Sequence, residues 1–269
     1  MLEIFKEPFM QTALLGGLIT ACLCAYLGVF VILKRIVFMG IALSQVAALG
    51  VALGLFVGVN PVISAFILTL LGVILFWIPF AEKNISREAF LGFIYVFCAA
   101  LAVILIAKNP LIEARGLNLI SGNLLYTTWL DIRILGVAFL FILALHIVFF
   151  KEFIFISFDR ETAFTTGLKA NFLDFLLYLT IGIVISLSMK ICGVIFVFAS
   201  LIIPAMIGLI SARRIGMIFF ISSVAAALCV VIGLICSYIW DLPSGPTIVG
   251  LYSLIFILIG GIKGILNRG

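Results

Sequence analysis

The chain has a single histidine, His146. Imidazole can ligate a metal or relay a proton, and both jobs need partners. A zinc site takes three or four His, Cys or carboxylate ligands, and proton relays through membranes use carboxylate and histidine chains. His146 lies in an apolar run about one turn from Lys151, so a polar contact or an interfacial position is the favoured reading over a ligand. The acidic residues gather in loops and at the ends of apolar runs. That distribution counts against a proton-coupled transporter, an ion pump and an intramembrane metalloenzyme. The cysteines (Cys22, Cys24, Cys98, Cys192, Cys229 and Cys236) all lie in or at the ends of apolar runs and form no CxxC pair. Neither a disulfide framework nor a zinc cage is indicated.

A different kind of chemistry, docking, is suggested by "FDRETAFTTG". Asp159 stands where a carboxylate caps a short helix beginning near Arg160. Glu161 in the first turn suits the helix dipole, and Gly167 can end the helix. A short capped helix between two apolar runs could fit a groove on a partner; a solvated loop is the alternative. In "CGVIFVFASLIIPAMIG", Ser200 and Pro204 stand inside an apolar run, and proline there removes a backbone donor and should kink the helix. "DLPSGP", with Asp241, Pro243 and Gly245, reads as a turn rich in helix breakers. Gly50, Gly54 and Gly58 recur every four residues, as do Gly40, Ser44 and Ala48, which places small residues on one helix face for close packing.

The elements that must position these residues are membrane spans. Of the 269 residues 66% are hydrophobic and 10% charged, against about 25% charged in a soluble domain. The apolar residues form runs of about 18 to 25, each able to cross the hydrocarbon core as a helix. A barrel would need short alternating segments, which are absent. The expected fold is all-α, a single polytopic helical domain over 1–269. Its spans are about 9–33, 41–58, 62–81, 89–107, 132–150, 171–188, 192–211, 216–239 and 246–265. That makes nine, or eight if 192–211 is broken or re-entrant. The first run lacks a signal-peptide cleavage site and reads as a retained span.

The net charge of +5 sits in short loops, so it points to topology and not to nucleic acid. One set of loops carries Lys34, Arg35, Lys83, Arg87, Lys151, Arg160, Lys169, Arg213, Arg214, Lys263 and Arg268. The other carries Lys6, Lys108, Arg115, Arg133 and Lys190. The richer set is expected to be cytoplasmic, with the N-terminus outside and the C-terminus inside. The cytoplasmic loop at 151–170 then holds the capped helix, and the outer loop at 108–131 has room for a short interfacial or re-entrant helix.

Taken together, these stretches resemble the zinc/manganese/iron ABC permease family along nearly the whole chain. "LKRIVFMGIALSQVAALGVALG" is similar to its first cytoplasmic loop and second span. "LISGNLL" at 119–125 is similar to its external Leu-x-Gly-Asp/Asn-Leu-Leu, and "FDRETAFTTG" to the Asp-x-Glu-x-Ala-x-x-x-Gly of its coupling loop. "MKICGVIFVFASLIIPAMIG" matches the span with Met-Lys/Arg, Gly and Ile-Pro-Ala, and "DLPSGP" its Asp-x-Pro-x-Gly-Pro. Each motif is weak alone; five in order are specific. The resemblance implies an importer subunit in a bacterial inner membrane. Two permeases, identical or paralogous, would dimerise around a central path. Two ATPase subunits would bind ATP and Mg below, and a solute-binding protein would deliver metal from above. Asp159, Glu161, Ala163 and Gly167 would belong to the helix that fits the ATPase. Ser44, Gln45, Gly50, Gly54, Ser200 and Pro204 would line or pack the path, and Asp241, Pro243 and Gly245 would form an external turn. The chain carries no G-x-x-x-x-G-K-[ST] phosphate loop and no cofactor of its own is implied; it is a non-catalytic subunit.

One departure bears on cargo. The family typically has Gly-Asp-x-x-x-His at the start of the second span, a carboxylate and an imidazole on one helix face, suited to Zn²⁺ or Mn²⁺. Here the matching positions are Ile41 and Gln45. The cargo could then be a chelated metal, a different ion or another small polar solute. A non-identical partner permease could also supply the ligands, or the path could work through weak contacts. The competing class is a secondary transporter or channel without an ATPase, against which the "FDRETAFTTG" loop speaks.

Overall fold

The computed structural model describes residues 7–78, 86–108, 124 and 127–266. Most of "LISGNLL", and the helix expected within 108–131, lie outside the described residues. Those described are helical throughout. The helices are α1 (Pro8–Leu33), α2 (Val37–Val57), α3 (Pro61–Trp77), α4 (Arg87–Ala107), α5 (Trp129–Val148), α6 (Phe150–Phe158), α7 (Arg160–Thr165), α8 (Ala170–Ser211), α9 (Ile215–Trp240) and α10 (Ser244–Leu266).

Seven of them are long and apolar enough to cross a membrane. α3, with 17 residues, is shorter. Large apolar side chains stand outward on α4 (Phe93, Val96, Val103), α5 (Val137, Leu140, Phe141) and α10 (Leu254, Ile257, Ile262). In water such faces would be large exposed patches; in hydrocarbon they are the solvated surface.

The helix ends are set by short polar side chains. The Asn60 side chain accepts from the Val62 amide at 3.0 Å, with Pro61 in the first helical position. Ser86 Oγ accepts from the Ala89 amide at 3.1 Å. Thr128 and Asp131 cap α5 reciprocally: Asp131 Oδ2 accepts from the Thr128 amide at 3.1 Å, and the Asp131 amide donates to Thr128 Oγ1 at 3.3 Å. Each satisfies amides that the first helical turn leaves unpaired.

α8 covers 42 residues and joins two helices across a kink, each about as long as the hydrocarbon is thick at 1.5 Å per residue. The sequence places a short connection at Lys190 and a kink at Pro204. The backbone leaves helical geometry at Gly193, three residues after Lys190, with φ 77° and ψ 167°, a conformation essentially restricted to glycine. Pro204 lies inside the helix and is buried.

The chain groups into two compact units. The first comprises 1–32, 122–139 and 191–269. In it α1 meets the second half of α8 so closely that a Cβ on Gly28 would lie 1.7 Å from the Leu201 carbonyl oxygen. Tyr26, Phe30 and Phe219 pack their rings with centroids 5.0 to 5.5 Å apart. Lys263 near the end of α10 donates to the Ile210 carbonyl at the end of α8, one of the acceptors a helix C-terminus leaves open.

The second unit comprises 33–121 and 140–190. Here the small-residue face of α2 meets α3: a Cβ on Gly50 would fall 2.5 Å from Ala65 Cα, and one on Gly54 2.8 Å from Pro61 Cα. Gly58 does not share this role. It caps α2 in the left-handed region, φ 79°, with open space where a Cβ would stand.

Candidate functional site

The "FDRETAFTTG" segment folds as its residues dictate. Asp159 is extended, and its carboxylate accepts from the Thr162 amide at 3.0 Å and the Thr162 hydroxyl at 2.6 Å. These bonds hold the Asp159 pKa below its ordinary value of 3.8, so the carboxylate is a charged cap at neutral pH. α7 closes with two reversed bonds, Gly167 N–H to the Phe164 carbonyl and Leu168 N–H to the Ala163 carbonyl, both 3.2 Å. That is the Schellman pattern, which needs a left-handed residue after the helix; Gly167 supplies it at φ 87°.

The capped helix presents two faces. Ala163 is fully buried and seats α7 on the unit. Asp159, Glu161 and Gly167 are exposed. So is Phe164, at 67%, a large apolar side chain on a polar surface. A groove of about 340 Å³ runs beside it, lined by Arg160, Glu161, Phe164, Thr165, Ala170 and Asn171. An aromatic anchor with a carboxylate at its rim is a surface suited to a complementary protein groove.

Beneath α7 lies a charged cluster that motif reading misses. Asp174, on the first turns of α8, is buried. Arg160 Nε donates to its Oδ2 at 2.8 Å, while Arg160 Nη2 donates to Asn171 Oδ1 at 2.8 Å. Lys34, in the turn before α2, donates to Asp174 Oδ1 and also to the Ile156 carbonyl at 3.3 Å. Burial draws the Lys34 pKa below its ordinary value, and Asp174 opposes that shift. Nearby, Arg87 donates to the Phe76 carbonyl at 2.8 Å and lies over the Tyr178 ring. Trp77 Nε1 donates to the Asn171 carbonyl at 3.0 Å. The sequence carried a signal for Asp174, a carboxylate just inside an apolar run. Its partners are 14 and 140 residues away, beyond the reach of local pattern. Phe164 gave no signal, since one aromatic in a short loop is unremarkable.

The other residues singled out by sequence are dispersed. Ile41 and Gln45 are half-buried on the first turns of α2. Ser44 is buried, its hydroxyl donating to the Gly40 carbonyl at 2.8 Å. Ser200 is buried with its hydroxyl 3.4 Å from that of Tyr252. His146 is fully buried, its Nε2 3.2 Å from Thr180 Oγ1 and its ring against Phe153, so the polar contact is found. Of the turn expected at 241–246 only Asp241, Leu242 and Pro243 lie between helices, and Ser244, Gly245 and Pro246 already form the first turn of α10; Asp241 takes the left-handed conformation and Ser237 donates to the Leu242 carbonyl at 2.6 Å. Pro243 is exposed and accepts from the Thr247 hydroxyl at 2.8 Å, and Gly245 is buried. Ser244 Oγ accepts from the Leu124 amide at 3.3 Å, tying this turn to the described residue of "LISGNLL". A cavity of about 300 Å³ in the second unit is lined by Asn60, Pro61, Ser186 and Lys190 among others. Among the described residues no group of three or more His, Cys, Asp or Glu is placed to hold a metal, and all six cysteines are free thiols.

Comparison with known proteins adds an independent measure. The model of the ABC 3 transport family matches residues 6–262. The high-affinity zinc uptake system membrane protein ZnuB of Haemophilus influenzae is 30% identical over 91% of this chain and 94% of its own. The manganese import system permease protein ScaB of Streptococcus gordonii is 31% identical over 93% and 90%. Among solved structures, PsaBC from Streptococcus pneumoniae in complex with Fab superposes with a TM-score of 0.85 at 28% identity, covering 96% of this chain and 93% of that one.

Proposed function

The chain belongs to the ABC 3 transport family, and from that premise we propose that it moves a divalent metal ion, or a complex of one, into the cell as the permease of an ATP-driven importer. The subunit is non-catalytic and multi-pass, of the bacterial inner-membrane type. A separate ATPase supplies the energy, binding ATP and Mg. The observation that carries the coupling part of this reading is α7: a helix capped at both ends, seated by Ala163, with Glu161 and Phe164 turned outward over a groove.

The same reading extends to topology and partners. Nine crossings follow if α3 spans and α8 spans twice, once on each side of Gly193; the N-terminus is then outside and the C-terminus inside. Support comes from charge sorting in the second unit. Lys34, Arg87 and Arg160, all assigned to the cytoplasm, surround the base of α8. Lys190, assigned outside, shares a cavity with Asn60 at the far end of α2. A second permease copy or paralogue would complete the path and a solute-binding protein would deliver cargo at the outer turns, with 1–269 acting as one permease domain.

The cargo class follows the zinc and manganese relatives, and the seat for it differs. Ile41 offers no ligand, and Gln45 offers one neutral amide oxygen. A weakly held ion, a chelated metal or ligands from a paralogous partner fits such a seat. The test is ATP-dependent uptake by the permease–ATPase complex in vesicles, against a panel of Zn²⁺, Mn²⁺, Fe²⁺ and their chelates. At least one should accumulate and compete with itself. Glu161→Ala and Gly167→Ala should lower uptake while the protein stays folded. Indifference to every metal would overturn the cargo, and normal uptake by both variants would overturn the coupling assignment.

A further inference from the structure

We propose that Asp174 is a positioning residue that joins the docking helix α7 to α2, so that a displacement of α7 is delivered to the helix bearing Ile41 and Gln45. This rests on the reading of 159–167 as the ATPase-docking segment. The two oxygens of the Asp174 carboxylate are divided between two elements. Oδ2 takes Arg160, the first residue of α7, at 2.8 Å. Oδ1 takes Lys34, in the short turn between Leu33 at the end of α1 and Val37 at the start of α2.

The two arms differ in a way that suits transmission. Arg160 forks across Asp174 and Asn171, both on the first turns of α8. A planar guanidinium held at two points fixes orientation as well as distance, so α7 and the start of α8 move together. Lys34 is a compact charge on a flexible stem, held by Asp174 and by the Ile156 carbonyl. Its side chain is 8% exposed and that of Asp174 is 6%. A buried pair of this kind is costly to separate, so the contact passes a displacement on instead of slipping. Ile41 and Gln45 lie about one and two helical turns into α2, which begins three residues after Lys34. A mere surface ion pair would need neither the burial nor the second cation. Arg160, at 59% exposure, is also the arm that a docked protein can reach.

The experiment uses the full permease–ATPase complex in vesicles, with Zn²⁺ and Mn²⁺ as probes. It reads co-purification of the subunits, ATP hydrolysed and ions moved per ATP. Arg160→Gln cuts the α7 arm at an exposed position and leaves the Lys34–Asp174 pair. Lys34→Gln cuts the other arm and leaves Asp174 paired with Arg160. Each should keep the complex assembled and lower ions moved per ATP by roughly 2- to 30-fold. Because both arms serve one joint, the double variant should lose no more than the worse single variant. Asp174→Glu should recover more than Asp174→Asn, and if Asp174→Asn fails to fold the two arm variants still decide the matter. Unchanged ions per ATP in Lys34→Gln, or losses that multiply in the double variant, would overturn the joint. Glu161→Ala with Phe164→Ala separates the two levels. If that pair disrupts assembly or uptake while the arm variants are silent, the joint alone fails. If that pair is silent too, the docking reading fails and the joint falls with it.

Discussion

Gln45 and Ile41 occupy α2 at the spacing of one helical turn, the same spacing that would put two ligands on one face. Their side chains, and not their placement, make them poor metal ligands. Replacing both, Ile41→Asp with Gln45→His, restores a carboxylate and an imidazole where the family resemblance expects them. The double variant should bind Zn²⁺ more tightly than the parent, measured by equilibrium metal titration of the purified permease, and neither single change should match it. No gain in the double variant would show that these positions do not face the cargo. At this scale the sequence was informative wherever a residue acts on its own neighbours. Asp159 and Gly167 act on their own neighbours, and each caps α7 as its type and position imply. Asp174 acts through Lys34, 140 residues away, and no local spacing records such a pair.

Elements were legible where the cause of their ends is chemical and short-range. Asn60 before Pro61 and Ser86 before Arg87 start α3 and α4 as their side chains allow. The break in α8 was legible in place, as the gap between the spans 171–188 and 192–211, but not in cause, because the conformation of Gly193 leaves no mark on the sequence pattern while Pro204 does. A proline ring can be carried inside a helix with the loss of one bond, whereas φ 77° with ψ 167° ends helical geometry at that residue. Gly193→Ala therefore forces a side chain into a region costing about 1–3 kcal/mol. Its thermal midpoint in detergent should fall by several degrees, and a Pro204→Ala variant should be affected less. Equal loss in both would return the bend to the proline. Gly58 makes the same point in reverse: its spacing matches Gly50 and Gly54, yet it lies one residue past the end of α2 and serves as a cap.

For the whole molecule, composition and loop charge decide most of what is visible: an all-helical membrane protein with outward apolar faces on α4, α5 and α10. Span count and sidedness depend on the environment on either side of the bilayer. They are open to a direct measurement. A cysteine introduced at Glu161 should react with an impermeant maleimide in inside-out vesicles only, and one at Lys190 in right-side-out vesicles only; the opposite pattern would invert the topology. The buried carboxylate at the base of α8 also has a meaning in time. A ribosome delivers Lys34 first, then Arg160, and Asp174 last, so the two cations wait for their shared partner until α8 has begun to enter the membrane. Until then Lys34 has no carboxylate to be buried against, and only the arrival of Asp174 allows that burial. The joint is therefore closed late, by the order of synthesis itself.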